Sequence, residues 1–232
     1  MGTFRFRQFE VCNEKSALKV GTDAVLLGAA MSIRGDERTM LDIGTGTGVI
    51  ALMAAQRCPS ARIEAIDIDS PSAEEAAANF AASPWHGRLH AIHAALQDFS
   101  PEGEYDLIFS NPPFFEHSLT NPDRRETTAR HTESLSYRDI LAFASAHLSP
   151  EGRLALVLPH ECGADLKRTA ASFGVFPCRL LSVRTTAAKP PRRLVAEFSR
   201  CRCVPAEDSL VLQDGPSRTA EYSALTSDFY LW

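Results

Sequence analysis

No apolar run in this 232-residue chain approaches the length of a membrane span, and its polar, aromatic opening holds no signal-peptide core. A cytoplasmic protein without membrane attachment is therefore expected. Low-complexity tracts are missing too, as is any composition shift that would mark a separate second domain. With 44% hydrophobic residues the chain can bury one sizeable core. Cysteine is sparse and scattered, at positions 12, 58, 162, 178, 201 and 203. Reduced thiols are expected. Cys201 and Cys203 form a C-x-C, but no second Cys/His pair of zinc-like spacing accompanies them, so no metal is expected and a strand carrying both on one face is the simpler reading. Overall positive charge is absent as well. A formal net charge of −5 excludes a protein that coats nucleic acid with its whole surface.

One stretch carries chemistry. Asp106-Leu107-Ile108-Phe109-Ser110 reads as a buried strand that stops at Asn111-Pro112-Pro113-Phe114. Such an ending suits a reaction at a conjugated amine, for example adenine N6, whose lone pair is delocalised into the ring and must be redirected before it attacks. The Asn111 side-chain oxygen and the Pro112 backbone carbonyl can each accept one N–H, turning the lone pair towards an electrophilic methyl group. Phe114 can stack on the ring. Proline adds stiffness and brings no backbone donor of its own. Taken alone, the same four residues also fit an ordinary strand-ending turn.

Upstream, Thr39-Met40-Leu41-Asp42-Ile43 reads as a strand, Gly44-Thr45-Gly46-Thr47-Gly48 as a tight loop, and Val49 to Ala55 as a helix. Glycines let the backbone approach a ligand, and the free N–H groups of a helix start favour its anionic end. A dinucleotide loop is spaced G-x-G-x-x-G, whereas here the third glycine comes one residue early. Asp42 before the loop would repel a pyrophosphate but suits the cationic methionine portion of S-adenosylmethionine. The next strand, Ile63 to Asp67, ends in an acid 23 residues after Gly44, where a ribose diol can be held. Asp67 is preferred over Asp69 for that role. Otherwise it would serve as an acid at the start of the following helix.

Glycine loop, strand-end acid and Asn-Pro-Pro-Phe, in this order, resemble a class I S-adenosylmethionine-dependent methyltransferase. Phe4-Arg5-Phe6-Arg7-Gln8-Phe9, Leu18-Lys19-Val20-Gly21-Thr22-Asp23, Ser83-Pro84-Trp85 and Asp228-Phe229-Tyr230-Leu231 extend the resemblance to the bacterial tRNA-Val (adenine-37-N6)-methyltransferase family over nearly the whole chain. The fold implied is α/β and Rossmann-like, a seven-stranded, mostly parallel sheet with an antiparallel closing strand, helices on both faces and a short N-terminal extension. The activity implied is methylation of an adenine beside the anticodon. Residues matching Thr22 and Asp23 line the methionine end of the pocket in that family, so the cofactor set becomes Thr22, Asp23, Asp42, Gly44, Gly46, Gly48, Asp67, Leu96 and Asn111. One departure stands out: where the family places an acid to hold the cofactor adenine, this chain has Ala95. Asp98 or the backbone N–H of Leu96 is then left to meet that ring.

Organisation follows from the pattern. Residues 1–35 form an arm and a helix from about Asp23, its expected cap, to Met31, lying over the cofactor, and 36–232 form the main domain. Helices are predicted over Ser72–Ala82, Tyr137–His147 and Asp165–Phe173, strands over Leu89–His93, Tyr105–Ser110 and Arg153–Leu158, and a closing hairpin from Cys178–Arg184 and Arg193–Cys201. Leu210-Val211-Leu212 and the terminal aromatic segment are expected at the edge. The polar stretch between Phe115 and Ser136 is a candidate substrate loop, with Arg130 foremost in it.

Local charge points to RNA. From Arg184 to Arg202 six basic residues face one acid, Glu197. Arg5, Arg7, Lys19, Arg130, Arg192 and Arg193 are the expected contacts to a tRNA backbone, provided that they share the face of Phe114. A monomer is expected. Other readings remain open: transfer to guanine N2 of ribosomal RNA, transfer to a protein glutamine, or a non-catalytic module that binds RNA or S-adenosylmethionine. A dehydrogenase is disfavoured by the glycine spacing, and DNA adenine methylation by the lack of a target-recognition domain.

Overall fold

The structure, a computed structural model, describes residues 2–16, 19–113 and 135–231. Its central strand β3 (Thr39–Ile43) buries Met40, Leu41, Asp42 and Ile43 alike, the pattern of a strand covered on both faces. Parallel neighbours flank it, β4 (Arg62–Asp67) and β5 (Leu89–His93) on one side, β6 (Tyr105–Ser110) and β7 (Leu148–Pro159) on the other. Beyond β7 come β9 (Arg193–Ser199), antiparallel to both neighbours, and then β8 (Phe176–Thr186). These seven strands are the sheet expected from sequence.

Two more extend it. β10 (Ala206–Asp214) pairs parallel with β8, and the two-residue β11 (Ser217–Arg218) folds back on β10, giving a nine-stranded order β11-β10-β8-β9-β7-β6-β3-β4-β5 among the described residues. Leu210 and its neighbours thus join the sheet rather than packing on its edge. Cys201 and Cys203, expected on a strand, lie exposed beyond the end of β9, because the chain must leave the sheet there to cross to β10.

Alternation along the inner strands builds two cores. Met40, Leu107, Phe109, Ala155 and Val157 face helices α1 (Thr22–Ala30), α2 (Val49–Arg57) and α3 (Ser70–Ala81). Leu41, Ile108, Leu154, Leu156 and Leu158 face α4 (Tyr137–His147) and α5 (Gly163–Ser172). A final helix, α6 (Ala220–Thr226), joins the first core through Tyr222. Helix starts follow their local chemistry. Ser136 and Asp139 make a reciprocal capping box on α4, and Asp69 accepts from the Ser72 N–H to cap α3. Asp23 does not cap α1: Gly21 occupies the cap position, and Asp23 sits in the first turn with its carboxylate turned to Arg193.

The amino-terminal part is tied down at several points. A separate hairpin of β1 (Thr3–Arg5) and β2 (Glu10–Cys12) sends Phe6, Phe9 and Val11 into the first core, where the Phe6 and Phe9 rings stack at 4.5 Å. Arg7 N–H donates to the Phe229 carbonyl at 2.8 Å. At the edge of the sheet where the parallel strands begin, buried Glu197 accepts from Ser32 and from Arg179, and buried Glu37 accepts from Arg153 at 2.7 Å. Pairing with opposite charge compensates their burial, although Arg153 Nε has no hydrogen-bond partner among the described residues. Among the described residues no helix is long and apolar enough to cross a membrane.

Candidate active site

The glycine loop, the acid of β4 and the Asn-Pro-Pro segment all emerge where the parallel strands end, at the edge of an open α/β sheet where ligands usually bind. Gly44, Gly46 and Gly48 each adopt a positive φ, of 70, 56 and 80°, so the loop turns in a way that side-chained residues resist. Three backbone bonds hold it: Gly44 and Thr45 N–H donate to the Ile66 carbonyl, and Gly48 N–H donates to Thr45. A Cβ on Gly44 would meet only Leu135, whereas one on Gly48 would lie 2.5 Å from the Phe80 ring. Gly48 is therefore required by α3.

Asp67 stands beside the loop at the end of β4. One oxygen accepts from Gly46 N–H at 2.8 Å and the other from Asp69 N–H at 2.9 Å. Burial raises its pKa, with those backbone hydrogen bonds opposing the shift. Asp42 lies deeper than the sequence implied. It is fully buried beneath the loop rather than at its mouth, with Oδ2 accepting from the Thr45 hydroxyl at 2.7 Å and Oδ1 without a hydrogen-bond partner among the described residues. Burial pushes its carboxyl up to about 7; the Thr45 hydroxyl opposes this and the Asp67 charge adds to it.

These residues fit S-adenosylmethionine. A buried carboxyl oxygen under a glycine loop, without a hydrogen-bond partner among the described residues, suits a ligand carrying positive charge. Asp67 keeps acceptor capacity for hydroxyls, since a carboxylate has about four lone-pair sites. Leu96 is buried in an apolar group with Ile66 and Ile92, while Asp98 is exposed and its N–H is taken by the Ala95 carbonyl. The segment after β5 thus presents apolar Leu96 beside Ala95.

Asn111 is half-buried, Pro112 buried and Pro113 exposed just past the end of β6. Directly behind them Ser110 Oγ donates to the Ile43 carbonyl at 2.7 Å, pinning the end of β6 to the residue that precedes Gly44. Asn111, Pro112 and the glycine loop are thereby held side by side. Phe114 and Arg130 lie outside the described residues. Thr22 is exposed at the start of α1, and Asp23 is paired with Arg193 at 2.8 Å.

Sequence reasoning missed the face of α3 that supports this edge. Glu75 accepts from the N–H groups of Glu14, Lys15 and Ser16 at 2.7–2.8 Å. Asn79 accepts from Cys12 N–H and donates to the carbonyls of Cys12 and of Thr47 in the glycine loop. The signal was Ser72, Glu75 and Asn79 at helical spacing on an alanine-rich helix, a polar stripe that is buried.

The expected RNA contacts are partly engaged within the protein. Arg5 pairs with Glu10 at 3.0 Å, Arg7 reaches the Ser227 carbonyl, Lys19 donates to the carbonyls of Asn13 and Glu14, and Arg193 holds Asp23. Arg192 is exposed. Among the described residues no His/Cys/Asp/Glu group could hold a metal.

Comparison with known proteins bears on the family and the fold. Residues 15–175 match the family model of the methyltransferase small domain. A tRNA1(Val) (adenine(37)-N6)-methyltransferase of Bacteroides fragilis is 42% identical over 98% of this chain and 97% of its own, and one from Flavobacterium johnsoniae is 40% identical over 98% and 99%. Among solved structures, a predicted O-methyltransferase from Agrobacterium tumefaciens superposes with a TM-score of 0.67 at 17% identity, covering 89% of this chain and 96% of that one. A methyltransferase from Pyrococcus furiosus gives 0.61 at 22% identity, covering 83% and 89%. At such identities the structures speak for the fold, while the full-length relatives speak for the family: the chain belongs to the methyltransferase small domain family and, within it, to the tRNA1(Val) (adenine(37)-N6)-methyltransferase family.

Proposed function

We infer that this protein transfers a methyl group from S-adenosylmethionine to N6 of an adenine in tRNA, and that the target is adenine 37 of tRNA-Val. The observation that carries the reading is the bond from Ser110 Oγ to the Ile43 carbonyl, which places Asn111 and Pro112 beside the glycine loop. When bound, S-adenosylmethionine supplies an electrophilic methyl group on a sulfonium. The Gly44–Gly48 loop would hold it, with Asp67 at its hydroxyls, Leu96 at its ring, and Asp42, Thr22 and Asp23 towards its methionine end.

Asn111 Oδ1 and the Pro112 carbonyl accept the two N–H bonds of the adenine amine, and Phe114 stacks on the ring. Those two acceptors redirect the lone pair out of conjugation, a positioning effect that needs no strong base. The amine loses its proton after it has gained the methyl group, when water or a carbonyl suffices as acceptor. A base in an anticodon loop is already single-stranded, so turning it into such a pocket costs little. Residues 1–35 act as an arm over the cofactor site, and the protein works as a monomer in the cytoplasm.

The test is incubation with S-adenosylmethionine and unmodified tRNA-Val, followed by digestion and mass spectrometry of the nucleosides. N6-methyladenosine from the wild type and none from Asn111→Ala, with cofactor binding left nearly intact in the variant, is the expected result. A methylated guanine, or methyl transfer to protein only, would overturn the assignment of the substrate.

A further inference from the structure

The fold divides the cations of residues 184–202 between two opposite edges of the sheet. Because β9 runs antiparallel to β7 and β8, the β8–β9 turn emerges at the edge that carries Asn111, and the β9–β10 connection emerges at the other. Arg184, Lys189, Arg192 and Arg193 therefore belong to the site edge. Arg200 and Arg202 lie about 20 Å away along β9. There Arg200 donates to the Leu148 carbonyl, and Arg202 places its guanidinium 4.4 Å from the Phe176 ring centre.

Within the turn the charge is of one sign, although Asp23, Glu161 and Asp214 stand on the same edge of the sheet. No Asp or Glu occurs between Arg184 and Arg193 in a chain whose net charge is −5. Arg193 is neutralised by Asp23. Among the described residues no carboxylate lies within ion-pair distance of Arg184, Lys189 or Arg192, and the last two are exposed. The turn is also stiff. Lys189 N–H donates to Thr186, Arg192 N–H donates to Val183 at 2.8 Å, and the Arg192 carbonyl accepts from His160 N–H. Pro190 and Pro191, between the two exposed cations, fix their own backbone. Little backbone freedom is then left to lose when an anion binds.

Its position suits an RNA strand entering the site. Leu156 of β7 faces Ser110 of β6 on one side and Ala196 of β9 on the other. The turn thus stands two strand spacings, about 10 Å, to the side of the strand that ends in Asn111. We propose that the β8–β9 turn, through Lys189 and Arg192 with Arg184 behind them, grips the phosphates of the nucleotides flanking the target base. This rests on the RNA-methylation reading above. Such contacts fix the strand's position without reading its sequence.

The experiment compares wild type, K189Q/R192Q and a charge-matched control from the opposite edge, R62Q/R202Q, on unmodified tRNA-Val transcript over a salt series. The turn variant is expected to raise KM for the RNA roughly ten-fold and to lower the slope of log affinity against log salt by about 2, with kcat at saturating RNA and cofactor affinity retained. The control is expected to match the wild type. An unchanged KM and slope in the turn variant, or an equal loss in the control, overturns the proposal while leaving the methyltransferase reading intact. Absence of any methyl transfer by the wild type overturns that reading and this proposal with it.

Discussion

Arg193 Nε donates to Asp23 Oδ2 at 2.8 Å, joining the start of β9 to the first turn of α1 across 170 residues of sequence. Both side chains are about a third exposed, so the pair is worth roughly 0.5–1 kcal/mol. Asp23→Asn and Arg193→Gln should each lower the unfolding free energy obtained from urea titration by that amount, and the double variant should be no worse than either single one. Additive losses would show that the two side chains act separately.

Asp42 sets a pH dependence with a definite sign. Its carboxyl is pushed by burial from an ordinary value of 3.8 up to about 7. Between those values the folded protein keeps the proton that the unfolded chain has lost, so the ligand-free protein loses stability as pH rises through that window and levels off above it. Asp67, also raised by burial, adds in the same direction. Asp42→Asn should flatten the profile and exceed the wild type at about pH 8 by a few kcal/mol at most. Urea unfolding at about pH 5 and about pH 8 measures it; identical profiles would contradict the burial of this charge.

Gly48→Ala should be costly for two separable reasons. The φ of 80° strains any side-chained residue, and the new methyl would lie 2.5 Å from Phe80 Cε1, on a ring that is itself buried. Together these amount to about 2–5 kcal/mol. Adding Phe80→Leu should recover the packing part and leave the strain. Thermal unfolding of the single and double variants checks this, and a harmless single variant would contradict both causes.

Asn79→Ala should leave the Cys12 N–H and the carbonyls of Cys12 and Thr47 without their partner, at a cost of about 2–3 kcal/mol. Hydrogen exchange should show the Cys12 amide losing protection. The amides of Glu14 to Ser16, held by Glu75, should keep theirs. Uniform loosening from residue 12 to residue 16 would mean that the two side chains do not hold the segment independently.

Local pattern made much of this molecule legible. The strand ending at Asn111, the glycine loop and the strand ending at Asp67 declare themselves through apolar runs broken by special residues, and β5, β6 and α4 match their predicted limits. What escaped depends on residues distant in sequence. Nothing near Asp23 announces Arg193, so the acid passed for a helix cap. The polar face of α3 reads as a solvated surface until residues 12–16 cover it. β10 was read only at Leu210–Leu212 because its flanks, Ala206-Glu207-Asp208-Ser209 and Gln213-Asp214, are polar and lie on the outer part of the sheet. The cations of residues 184–202 form one cluster in sequence and two in space, since a single antiparallel strand carries them past the full height of the sheet.

That reversed strand makes the two halves of the molecule separately adjustable. In an all-parallel sheet the connection after β8 would need a long crossover to reach a neighbouring strand. Here the chain turns back at once, and among the described residues the Ala187–Arg192 turn is anchored only by its own ends and by His160. Lengthening or shortening it changes how far it projects without disturbing the Gly44 loop, Asp67 or Asn111, which belong to other strands. Reach towards the substrate and grip on the cofactor can thus be varied independently, one by editing a hairpin and the other by editing the loops of the parallel strands.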